Sequence, residues 1–170
     1  YNNDSQKDST HGKLYNWFAA SDSRNICPTG WHVPSHDEWT QLTDYLFLNS
    51  YSGKEGAVLK STSGWNSNGN GIDYFGWNAL PGGVRNATNG NFYSIGNSGN
   101  WWCSTVQNSI AGWSRNMMFD HDTIKAYGAI KESGFSIRCL KDNDNVIHVE
   151  LPTITTLPVN GLIGSSAVTG

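Results

Sequence analysis

Cys27-Pro28-Thr29-Gly30-Trp31-His32-Val33-Pro34-Ser35-His36-Asp37-Glu38-Trp39 is the stretch on which the reading turns. Cys27 to Gly30 reads as a turn. Ser35 followed three residues later by Glu38 is a capping box, which satisfies two orphan amides at a helix start. Asp37 and Glu38 fall in the first turn, where the helix dipole favours negative charge. Trp39, Leu42, Tyr45 and Leu46 then line one face, and Val33 is placed to staple against Trp39 or its neighbour. This spacing predicts a helix over about 36–48.

Upstream, Gly12 to Ala20 places Leu14, Trp17 and Phe18 at helical spacing, predicting a short amphipathic helix over 13–20. Downstream, over 49–100, that period disappears and short apolar pieces such as Ala57–Leu59 alternate with turn clusters. Asn89-Gly90 between Val84-Arg85 and Phe92-Tyr93 predicts a hairpin. Strands are expected at Trp101–Val106, Ala111–Phe119, Ile124–Ile130 and Ser133–Leu140, forming an antiparallel meander. In the last of these Phe135, Ile137 and Cys139 share one largely apolar face. After the polar break 141–145 the composition shifts to Val, Ile, Thr and Pro without aromatics. The expected organisation is a domain over 1–145, then a linker and the opening of a β-rich module over 146–170.

Composition narrows the partners. Hydrophobic residues are only 37% of the 170, yet there are eight Trp, seven Tyr and six Phe, so a few large rings do most of the burying. With a net charge of −3 there is no basic footprint for nucleic acid. The longest apolar run, Tyr45 to Leu48, is far too short for a membrane span. Three cysteines, Cys27, Cys103 and Cys139, contain no C-x-x-C and permit at most one disulfide and one free thiol. The abundance of Gly, Asn, Ser and Trp points to an exported, secreted or cell-surface protein. The chain opens at Tyr1 rather than Met and is expected to be a processed or excerpted piece.

Five motifs, in order, carry a resemblance. They are Gly12–Ala20, Cys27–Ser35 with Glu38-Trp39, Leu80–Asn86, Trp101-Trp102-Cys103-Ser104-Thr105 and Gly134–Cys139. Together they resemble the Fibrobacter succinogenes major paralogous domain, common in exported proteins of that group and of Bacteroidetes. The resemblance implies an α+β, C-type-lectin-like domain of the formylglycine-generating-enzyme subtype: two short helices, a small twisted antiparallel sheet and long ordered loops. The family usually has Trp-Trp-Ser-Ser-Thr where Cys103 stands, which makes Cys103 the odd thiol and pairs Cys27 with Cys139. It also usually carries a first strand ahead of this region. The expectation is that this strand exists in the full protein and is not included in this chain; if it is truly absent, Val146–Glu150 fills the open edge or a neighbouring chain donates a strand.

No catalytic or zinc motif accompanies these features. The five histidines make neither H-E-x-x-H nor H-x-H. The copper-dependent oxidase that lends the fold its name needs two neighbouring thiolates at a spacing this chain lacks. The expectation is therefore a non-enzyme without a resident cofactor. Calcium is the one cation with candidate oxygens, from Asn66, Asn68, Asn70 and Asp73, although a loop bonded to itself explains these residues as well. His32 is expected to pack and hydrogen-bond backbone, and Trp31, Trp39, Trp101 and Trp102 are expected in the core.

Exposed rings beside amides and charges are the chemistry of sugar recognition. Trp65 with Asn66, and Trp113 with Arg115, Asp120 and His121, are the candidate ligand residues, on loops 64–78 and 106–128. The expected function is adhesion or recognition of a glycan or cell-surface protein. The rival is a structural spacer or assembly domain in a surface fibre.

Overall fold

The computed structural model describes residues 9–142. The described part is α+β, with short helices and three small antiparallel sheets. Helix α1 is Trp17–Ala20, shorter than the expected 13–20. Tyr15 is not helical because its N–H and C=O are both bonded to Phe135, and the Asn16 side chain caps the helix by accepting from the Ala19 N–H. Strand β1 is Trp31–His32, and α2 is His36–Leu46 with the capping box of Ser35 and Glu38 in place. Regular α geometry ends at Leu46, two residues early, because a π-helical turn follows over Phe47–Tyr51, where Asn49 and Ser50 leave helical angles.

Helix α3, Glu55–Leu59, lies where the sequence suggested only an apolar piece. Strands β2, Val84–Arg85, and β3, Phe92–Tyr93, pair as the expected hairpin. Strands β4 Ser98–Val106, β5 Ala111–Met118 and β6 Lys125–Ile130 make the central meander. Residues 133–140 do not form the continuous strand anticipated. Their hydrogen bonds are divided among neighbours, with Gly134 bridging Arg85, Phe135 bridging Tyr15 and Ser136 bridging Trp101. Only β7, Leu140–Lys141, is a strand there, and it pairs with β1. The calls on 146–170, including edge filling by Val146–Glu150, lie outside the described residues.

Strand β4 separates two cores, because successive side chains of a strand face opposite ways. Trp101 and Cys103 enter one core with Trp39, Leu46, Val58, Leu59, Trp65 and Met117. Trp102 enters the other with Cys27, Val33, Ala129 and Phe135. Val33 therefore packs away from Trp39, and the expected staple does not form. Trp39, Trp101 and Trp102 are buried as anticipated, but Trp31 is 39% exposed, since its two-residue strand pairs only at the rim. Gly112 on β5 is held by close approach: a Cβ there would lie 2.1 Å from the Trp17 ring.

Cys27 and Cys139 are joined by a disulfide, and Cys103 is the buried free thiol. The bridge ties the approach to α2 to the segment that ends the domain.

A candidate binding groove beside the capped helix

The capping box does more than start α2. It points one face of the helix at the segment 138–142, which the disulfide and the β1–β7 pairing hold alongside. A cavity of about 340 Å³ opens between them, walled by Pro34, Glu38, Trp39 and Leu42 on one side and by Arg138, Cys139 and Leu140 on the other, with Trp77. A second depression shares Glu38, Leu42 and Leu140 and extends to His32, Tyr45 and Asp142.

Beyond Tyr45 the groove meets a set of exposed rings. Phe75 lies 6.3 Å from Tyr45 and 5.6 Å from Tyr51, centroid to centroid, and Tyr74 lies 5.0 Å from Phe75. Tyr45 is 53% exposed and Tyr74 64%.

Polar groups sit at defined points along the groove. His32 is bonded through Nδ1 to Asp142 and through Nε2, at 2.9 Å, to Glu38. Its expected backbone partner is replaced by two carboxylates, because β1 sits between the helix start and the end of β7. The Asp142 hydrogen bond raises the His32 pKa above its ordinary value, against the opposing effect of burial and with help from Glu38. Burial disfavours ionised Glu38, but bonds from the Ser35 N–H and hydroxyl and from His32 hold it below the usual carboxylate range.

This arrangement has a pH consequence. The fold favours imidazolium, so the His32 contribution is fully present below the ordinary histidine pKa and fades as pH rises through the raised value. Between about pH 6 and about pH 8.5, wild type should lose stability relative to His32→Asn by less than about 1 kcal/mol, since the ion pairs are partly exposed. Urea unfolding at both pH values measures it. A difference independent of pH would rule out the clamp. The comparison with His32→Asn matters because His36 acts in the opposite sense, its pKa lowered by burial and by Arg115.

The sequence-predicted ligand residues are not brought together. Trp65 is 5% exposed and belongs to the core, its indole N–H donating to the Ala79 carbonyl at 2.9 Å. Arg115 is 2% exposed, and its guanidinium donates to His36 Nδ1 at 3.1 Å, to the His36 carbonyl at 2.9 Å and to Thr40. It fastens the sheet to α2, and its hydrogen bonds are made within the protein. Trp113 lies against the same His36, with centroids 4.2 Å apart. His121 Nδ1 lies 3.0 Å from Asp120 Oδ1, with both side chains exposed. Asn66 bonds Asn97 across the loop at 3.0 Å.

Two of the calcium candidates are engaged locally. Asn70 accepts from the Trp65 N–H and Asp73 from the Asn78 N–H. Loop 64–78 does reach the groove, through Trp77 on the cavity wall and through Phe75 against Tyr45 at the rim. Nothing in the sequence distinguishes these rings from Trp65, since all sit among Gly and Asn. Arg138 was visible only as part of a motif.

No curated protein and no solved structure matches the chain. The model of the Fibrobacter succinogenes major domain matches residues 1–141, a span that holds the disulfide and every groove residue named above except Asp142. The chain belongs to the Fibrobacter succinogenes major domain family.

Proposed function

We propose that this chain is a non-catalytic recognition domain of an exported or cell-surface protein, with a C-type-lectin-like fold, binding a glycan or protein partner through the groove beside α2. The observation that carries the reading is the continuity of the groove with the exposed rings of Tyr45, Tyr74 and Phe75. Aromatic surface of this kind offers large contact area at low entropic cost, and the adjoining polar points fix orientation.

The state of the thiols supports a role without chemistry. Cys27 and Cys139 are bonded to each other. Cys103 is fully buried, and that burial pushes its pKa up to about 12 in spite of Arg115, so it holds little of the reactive thiolate. A copper site built on two neighbouring thiolates has no such pair here. The disulfide fits an oxidising compartment. Among the described residues, no helix is long and apolar enough to cross a membrane.

A glycan-array and cell-binding screen of the full chain tests the reading. Binding should appear in one arm and fall at least about tenfold in Tyr74→Ala or Phe75→Ala, a loss of the size expected when an interface anchor is truncated. Both variants should unfold like wild type, since these rings are exposed. Silence in both arms would favour the spacer role in a surface fibre.

A further inference from the structure

We propose that the cavity between α2 and Arg138 takes a carboxylate carried on an apolar body, such as an aryl or branched alkyl acid or the last residue of a polypeptide. This rests on the groove being the binding site and specifies what one end of it holds.

The walls are apolar: Pro34, Trp39, Leu42, Trp77 and Leu140. Glu38 is the one acid among them, and it is already satisfied. Oε2 accepts from the Ser35 N–H at 2.8 Å and from its hydroxyl at 2.9 Å, and Oε1 meets His32 at 2.9 Å. One charged donor on this cavity is unused, and a second donor is buried behind its wall. The Arg138 guanidinium lies over the Trp77 ring, 4.1 Å from its centroid, and makes no hydrogen bond to any described residue. Asp73 attracts it, yet Asp73 Oδ1 accepts the Asn78 N–H at 2.6 Å. Trp39 is 3% exposed, and its indole N–H is shut off from solvent with no acceptor among the described residues.

A guanidinium over an indole ring with no hydrogen-bond acceptor has N–H groups to offer, and their fork matches the two oxygens of a carboxylate. The occupant must therefore concentrate its acceptors at one end and present apolar surface elsewhere. A neutral sugar fails this requirement, since hydroxyls around its ring would face walls that cannot bond them. The volume of about 340 Å³ is at the small end for ligand sites and suits one such group.

The test is calorimetric titration of the full chain with phenylacetate and its neutral amide, with a tetrapeptide ending in Phe as free acid and as amide, and with an oligogalacturonate. Both acids should bind, and each amide at least about tenfold more weakly, the range for a charged hydrogen-bonded pair. Arg138→Gln should bring the acids down to the amides, and Arg138→Lys should keep part of the preference. The Trp39 indole N–H resonance, identified by its loss in Trp39→Phe, should move on titration with acid.

Equal binding of acid and amide by wild type overturns the proposal without reliance on any variant's folding. A preference unchanged in Arg138→Gln also overturns it. Tighter binding of the peptide acid assigns the source to a chain terminus, and tighter binding of phenylacetate assigns it to a free acid. If only the oligogalacturonate binds and shifts groove resonances, the ligand class is wrong while the groove stands. If no probe, glycan or cell surface perturbs the groove, both readings fail.

Discussion

Reducing the Cys27–Cys139 bridge, or replacing either cysteine by Ser, should cost about 4–5 kcal/mol of stability, one of the two largest losses expected for this domain. The bridge closes a loop across a sequence separation of 112. A loop of that size loses about 4.7 kcal/mol of denatured-state freedom in the chain-entropy account. Cys27 also packs with Val33, Trp102 and Phe135, so a Ser hydroxyl there would lie in apolar surroundings. Cys103 should not exchange into the bridge in the native state, because exchange needs thiolate and burial suppresses it. Urea unfolding with and without reductant measures the effect, and reduced wild type should resemble Cys27→Ser. A loss below about 1 kcal/mol would mean that the chain is held elsewhere. The segment 138–142 should also detach from α2, so binding at the groove should fall with the bridge reduced even where the sheet persists.

Legibility of the fold followed the range of the signal. The start of α2 was written locally, in Ser35 and Glu38, and the structure has both reciprocal bonds. Strands β4 to β6 carried their own period and turns, and appear within a few residues of the expected bounds. Helix α3 has five residues, too few to display a period, and no side chain caps it. Segment 133–140 failed for the opposite reason. Its alternation correctly puts Phe135, Ile137 and Cys139 against one core, but its backbone partners are scattered along the chain, from Trp101 back to Tyr15.

The site was less legible. Trp65 and Trp77 stand in similar Gly/Asn-rich surroundings, and only tertiary packing puts Trp65 in the core and Trp77 on the cavity. Arg115 reads as a surface charge on an alternating strand, yet β5 faces α2 there and the guanidinium is consumed by His36 and Thr40. The mistake is physical. A charged residue on a strand beside an aromatic one has two stable outcomes, and its partners decide between them.

Trp102→Ala should destabilise the domain by about 3–5 kcal/mol, the range for emptying a buried indole site. Trp102 has no exposed surface. Its ring stacks on Phe135 with centroids 4.5 Å apart, and its N–H donates to the Tyr15 carbonyl at 2.8 Å. Three segments distant in sequence therefore meet at one side chain, and the cavity left by Ala has walls from all three. Trp102→Phe separates the two contributions. It keeps most of the stacking but leaves the Tyr15 carbonyl without its donor, which should cost about 1–3 kcal/mol. Both variants act on the core opposite the one containing Trp39 and Trp101, since β4 turns successive side chains to opposite faces. Folded Trp102→Phe should therefore bind at the groove as wild type does, whereas its urea midpoint falls. An equal loss for Ala and Phe would assign the whole effect to the hydrogen bond, and no loss for either would mean that this core does not hold the domain together.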